Sequence, residues 1–152
     1  MRLQVGRPLL PMLAGTAADV DEAIGRAGPA AVEWKLDGAR IQVHREGSDV
    51  AVFTRSLDDI TARLPEVVDA ALALPVRAAV LDGEAIALAP DGRPRPFQVT
   101  ASRIGSRLAV EDARAAVPLA PVLFDVLHLD GEDLIDRDGA ERHAALVAAV
   151  PD

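Results

Sequence analysis

The 152 residues include no cysteine, no tyrosine, one tryptophan and three phenylalanines. Without cysteine, neither a disulfide framework nor a thiolate metal site can form. No apolar run reaches the ~18 residues that a membrane-spanning helix needs, and the opening residues carry no secretory pattern. A cytoplasmic setting is therefore the expectation. Positive charge is also short: the net charge of −8 argues against a stand-alone nucleic-acid binder. The sharpest shortage is lysine. Against fifteen arginines the chain has a single lysine, Lys35, within "AAVEWKLDGAR".

Half of the residues are apolar, chiefly Ala, Val and Leu, and a chain of this length can bury a core as one domain. Gly6, Pro8 and Pro11 make residues 1–14 an extended lead-in or linker, with the domain expected over 15–152. "TAADVDEAIGRAG" has an N-cap candidate in Thr16 or Asp19, helical apolar spacing and a stop at Gly28. "AAVEWK" and "ARIQVHR" read as strands around an Asp37-Gly38 turn. In the second, Ile41 and Val43 share one face, and Arg40, Gln42 and His44 share the other. "VAVFTR" completes a hairpin with it. A helix is expected from Pro65, a strand over "RAAVLDGEAIAL", helix over 97–116, a buried strand over "PVLFDVLHL" and a last helix over "AERHAALVAAV". Strands joined mostly by hairpins, with helices between them, give an α+β fold with mostly antiparallel sheet.

The chemistry gathers around Lys35. Arginine stays protonated and cannot attack an electrophile, whereas lysine becomes a nucleophile once its surroundings remove the proton. Free lysine titrates near 10.4, so about one in a thousand is neutral at pH 7.4. A ready nucleophile needs a shift of roughly 3 units, which desolvation and nearby cations such as Arg40 can supply. His44, His128 and His143 lack metal-ligand spacing and read as structural or exposed, Trp34 reads as packing, and Asp130 to Asp133 as a hairpin turn. From Arg93 to Arg114 five arginines face Glu111 and Asp112, a local balance of +3 in an otherwise acidic chain.

"EWKLDGAR" resembles the lysine nucleotidyl-transfer motif shared by ATP-dependent DNA ligases, RNA ligases and mRNA capping enzymes. "FTRSLDDIT" is similar to the stretch that follows the nucleophile in DNA ligases, although they usually have Asn and Glu where this chain has Ser56-Leu57 and Asp58. "VLDGEAIAL" resembles their third motif, and "LFDVLHLDGEDL" a later segment. "RPLLPMLA" looks like the lead-in to their adenylation domain, and "RPFQ" is also typical. The order and spacing agree along nearly the whole chain, most closely with ligases of actinobacteria.

The resemblance implies the ligase and capping-enzyme nucleotidyltransferase fold, and adenylation with ATP and Mg²⁺. Lys35 would form a lysyl-AMP used to seal nicks in double-stranded DNA. Asp37 would hold the turn and orient the metal–water shell. Glu33 would contact adenine, Arg40 and Arg55 ribose and phosphate, and Glu84 the ribose hydroxyls, while Phe124 would stack on the purine. Arg103 and Arg107 are candidate contacts to the DNA backbone. The later family motif with a metal-binding glutamate, two phosphate-binding lysines and the OB-fold domain are not found in these residues. The chain is thus expected to be the N-terminal part of an adenylation domain, nearly inactive alone. The alternatives are a capping-type or RNA-ligase nucleotidyltransferase, or a non-catalytic nucleotide- or DNA-binding module of the same fold.

Overall fold

Alternation of apolar and polar residues builds the sheet. In a computed structural model that describes residues 3–150, β1 (Ala39–Glu46) pairs antiparallel with β2 (Asp49–Thr54). The hairpin between them turns at Gly47, whose φ of 61° suits a residue without a Cβ. β3 (Ala78–Ala87) lies on the other side of β1, then β4 (Leu119–Leu129) and the short β5 (Glu132–Asp133). The order is β2-β1-β3-β4-β5, with every neighbouring pair antiparallel.

One sheet face is the core. Ile41, Val43, Val52, Leu81, Ala85 and Val126 meet Val67 and Ala71 of α2 (Pro65–Ala73) and Leu146 and Ala149 of α5 (Gly139–Ala149). Pro65 starts α2 where a missing N–H costs nothing, and Asp138 with Glu141 forms a capping box on α5. Burying each large aliphatic side chain contributes about 1.5–3 kcal/mol, so Leu81→Ala would remove about 2–5 kcal/mol. α3 (Phe97–Ile104) is tied to the end of β3 by the Ala87 N–H, which donates to Thr100 Oγ1 at 3.1 Å.

The opposite face carries polar side chains and is crossed by the lead-in. The Gly6 N–H donates to His44 Nδ1 at 2.9 Å. Gln42 clasps Leu9 in both directions, accepting from its N–H at 2.9 Å and donating to its carbonyl at 3.1 Å.

Four expectations differ from this structure. "AAVEWK" forms no strand: residues 29–37 have no regular structure, because no strand lies beside them among the described residues. Trp34 is not packed but 94% exposed. Helix over 97–116 is split into α3 and α4 (Val110–Ala116), since Gly105 ends the first. β4 is mostly half-buried rather than buried, with only Leu119 and Val126 fully inside. α1 (Val20–Ala27) forms as expected, capped by the Asp19 side chain at one end and Gly28, φ 71°, at the other, yet it buries no residue.

Candidate functional site

Gly38 brings the Lys35 segment to the polar face of the sheet. A Cβ at this position would collide with the Ala85 carbonyl oxygen and the Ile86 side chain, so only glycine permits the approach. Its N–H donates to Glu84 Oε1 at 3.1 Å. Two residues on, the chain has entered β1, and Arg40 stands opposite Glu84 across the ladder.

Arg40 is held on two sides. Its Nε and Nη2 donate to the two carboxylate oxygens of Asp82 at 2.6 and 2.5 Å, a bidentate geometry. Its guanidinium carbon lies 4.8 Å from the ring centroid of Phe124. Phe124 reaches this position through a register shift: Asp82 pairs with Asp125 and Gly83 with Leu123, which leaves Phe124 unpaired. Bulges of this kind re-aim a side chain.

The electrostatics couple these groups. The hydrogen bond to Asp82 holds the Arg40 guanidinium above its usual range, against desolvation. Burial pushes the Glu84 carboxyl up, while the Gly38 N–H and the charges of Arg40 and Lys35 pull it down and Asp37 adds to the rise. Glu84 is thus the group on which the charges of Arg40, Lys35 and Asp37 converge.

Of the expected site residues, Arg40, Glu84 and Phe124 are brought together, and Lys35 and Asp37 lie beside them, exposed. Arg55, also exposed, follows β2 and lines a small cleft with Arg40, Asp82, Leu9 and Pro11. Glu33 is exposed and makes no contact that assigns it to the cluster. Sequence reasoning missed Asp82. Its signal was the strand period, since Asp82 lies two before Glu84 on the same face. Asp82 is the ion-pair partner of Arg40.

Arg103 needs correction as a DNA contact. Its side chain is 3% exposed and paired with Glu66, itself 9% exposed, at 3.1 Å. It also donates to the Arg63 carbonyl at 3.0 Å. A buried guanidinium committed to α2 and the preceding 3-10 turn cannot reach a phosphate outside. Arg107 remains exposed. An apolar cavity under α2, lined by Val43, Val67, Ala71 and Leu81, belongs to the core face rather than to this cluster. Among the described residues no three His, Asp or Glu side chains gather to hold a metal ion.

Comparison with known proteins identifies the family. A family described as "ATP dependent DNA ligase domain" matches residues 11–152. A probable DNA ligase of Streptomyces griseus is 62% identical over 99% of this chain, and DNA ligase B of Mycobacterium tuberculosis 59% identical over 98%. The chain spans about 30% of the length of each of these relatives. Among solved structures, the ligase domain of M. tuberculosis LigD superposes with a TM-score of 0.61 at 27% identity, over 79% of this chain and 39% of its own. A mycobacterial DNA ligase D complexed with ATP and MES gives 0.57 at 27% identity, over 76% of this chain and 35% of its own. These matches place the chain: it belongs to the ATP-dependent DNA ligase domain family.

Proposed function

We propose that this chain is the nucleotide-activating part of a longer ATP-dependent DNA ligase and that Lys35 is its nucleophile. The observation that carries the reading is the Gly38–Glu84 hydrogen bond, which ties the Lys35 segment to the Arg40–Phe124 pair. Lys35 Nζ attacks the α-phosphorus of ATP. The new N–P bond forms as the bond to the pyrophosphate oxygen breaks, and the proton leaves Nζ to solvent. The AMP then passes to the 5′-phosphate of a DNA nick, where the 3′-OH displaces it.

The other residues hold the nucleotide. Phe124 offers the ring face not occupied by Arg40 to the purine, where dispersion and offset stacking act. Glu84 accepts from the ribose hydroxyls, Glu33 contacts adenine, and Asp37 fixes the turn. Arg55 and the Nη1 of Arg40 that Asp82 leaves free meet the phosphates. Mg²⁺ belongs to the reading as an ion carried by the nucleotide phosphates, since Mg²⁺ commonly binds through one or two carboxylates plus phosphate. No step here is routed through it. A cytoplasmic location and contact of Arg107 with DNA complete the proposal.

The test is intact-mass analysis of the full ligase after incubation with ATP. Lys35 is the chain's only lysine, so one AMP increment is expected, lost in Lys35→Arg. Adenylation that persists in that variant would overturn the assignment. Labelled GTP in place of ATP separates the capping-type alternative.

A further inference from the structure

Gln42 and His44 lie on the sheet face opposite the core, yet they are only 5% and 1% exposed. The lead-in buries them, and its hydrogen bonds set a register. Gly6 meets His44 and Leu9 meets Gln42, so the lead-in runs antiparallel to β1, from His44 back toward Arg40. The Gln42 amide grips it on both sides. Its Oε1 accepts from the Leu9 N–H and from His44 Nε2, and its Nε2 donates to the Leu9 carbonyl. Leu9 and Pro11 are half-buried, while Leu10 and Met12 are 75% and 91% exposed, the alternation of a strand with one face inward. Beyond Gln42, Leu9 and Pro11 close a cleft too narrow for water, which Arg40, Arg55 and Asp82 also line.

We propose that Gln42 is a positioning residue for the nucleotide: through Leu9 and Pro11 it keeps water from the Arg40–Asp82 pair and so fixes the aim of Arg40. This rests on the reading that Arg40 meets the ATP phosphates. Asp82 holds Nε and Nη2 of Arg40, so the remaining Nη1 takes the direction that this pair allows. With the cleft closed, water on that side does not compete for the Asp82 oxygens, and an ion pair shielded from water is stronger than one bathed in it. With the cleft open, the pair loosens, and a guanidinium that swings between Asp82 and solvent loses its geometry toward a phosphate. Gln42 acts through the lead-in, with no contact of its own to the nucleotide.

The experiment measures lysyl-AMP formation by the intact ligase across ATP concentrations, in wild type, Gln42→Leu, Arg40→Ala and the double variant. Gln42→Leu is close in volume and removes all three hydrogen bonds. Its half-saturating ATP concentration should rise about tenfold, the scale of one lost hydrogen bond to a charged group. The rate at saturating ATP should stay within about threefold of wild type. A merely structural role would do the opposite, lowering the maximal rate with the misfolded fraction and leaving half-saturation in place. In the Arg40→Ala background, Gln42→Leu should shift half-saturation no further, because the two changes act on one group. An additive shift, or no shift when Arg40 is present, overturns the proposal and leaves the Arg40 assignment standing. A wild-type ATP dependence in Arg40→Ala overturns both. Leu9→Ala leaves β1 untouched and opens the same cleft, so it should reproduce the shift even where Gln42→Leu fails to fold. Unchanged half-saturation in Leu9→Ala also overturns the proposal.

Discussion

Gly38 shows how much of the candidate site hangs on one missing side chain. Gly38→Ala would drive a methyl group into the Ala85 carbonyl and Ile86, and since backbone cannot yield easily, the Lys35 segment must lift from β3. Overpacking of this kind costs about 1–3 kcal/mol, and the Gly38–Glu84 hydrogen bond is lost with it. Misplacing a nucleophile by about 1 Å can cost 100-fold in rate. In the intact ligase, lysyl-AMP formation by Gly38→Ala should therefore fall about 100-fold or more; a rate within threefold of wild type would refute the geometric role of this glycine. Arg103 and Arg107 offer the complementary lesson at the same scale, since the sequence gives them the same charge and burial separates them. Removing Arg103 leaves Glu66 buried without its cation, although the Leu119 N–H still donates to it. Breaking such a pair costs about 3–5 kcal/mol, so Arg103→Ala should lower urea-unfolding stability by that order. Arg107→Ala should leave stability within about 0.5 kcal/mol and flatten the salt dependence of DNA binding by about 0.9 in log–log slope if it meets one phosphate. An unchanged slope would return Arg107 to the solvated surface.

At the scale of elements, β1 carries two sets of contacts on one face: Arg40 holds Asp82 and lies over Phe124, while Gln42 and His44 clasp the lead-in. Because His44 Nδ1 accepts the Gly6 N–H, the ring proton sits on Nε2 and donates to Gln42 Oε1 at 2.8 Å. Only the neutral ring can do this, and burial pulls the His44 pKa from 6.5 to about 4. As pH falls, the unfolded chain takes up this proton first. The contribution is therefore whole above about pH 6.5, shrinks between 6.5 and 4, and shrinks no further below that; the loss approaches 3 kcal/mol. Asp59 and Asp130, whose pKa values are lowered by hydrogen bonds from Thr61 and from Ala78 and Arg77, act in a separate window, losing their contribution as pH falls below their ordinary 3.8. Urea titrations at pH 7 and 4.5 should show the decline in wild type and a much flatter profile in His44→Gln, which starts from a lower stability. Equal slopes would place the effect elsewhere. The strands of the sheet were legible because alternation reports a half-buried face directly, and Pro65, Gly28 and Gly47 mark boundaries by backbone chemistry alone. The clasp was not, because Gln42 and His44 look like any outward-facing polar pair until the lead-in lies over them. "AAVEWK" reads as a strand for the same reason that it fails to be one here: alternation describes what a segment can bury, and burial needs a partner. Arg103 was misread because local charge balance carries no information about depth.

For the whole molecule, the decisive question is how much chemistry these residues perform without the rest of the ligase. The cations near the cluster are Lys35, Arg40 and Arg55, and Asp82 already holds two of the Arg40 donors. Against them stand Asp37, Asp82 and Glu84, so the site offers little net attraction to a triphosphate, and the chain as a whole carries −8. The family motifs expected to bring further phosphate-binding lysines and a metal-binding glutamate do not occur in this sequence. Each preorganised charge-stabilising donor that is missing costs about 100- to 1,000-fold in rate, or about 3–4 kcal/mol, and the absence of several brings turnover near background. On the proposed reading, binding of the base is less affected, because a stack on Phe124 would need no further domain. Loss of one base–aromatic stack is worth about 1–3 kcal/mol, so Phe124→Ala should weaken ATP binding to the intact ligase by about 5- to 150-fold. The 152-residue chain, incubated with ATP and Mg²⁺, should therefore release far less than one equivalent of pyrophosphate in an hour, and should seal no nicks. A stoichiometric burst of pyrophosphate from the purified chain, absent in Lys35→Arg, would show that Lys35, Arg40, Arg55 and Glu84 already suffice for adenylation.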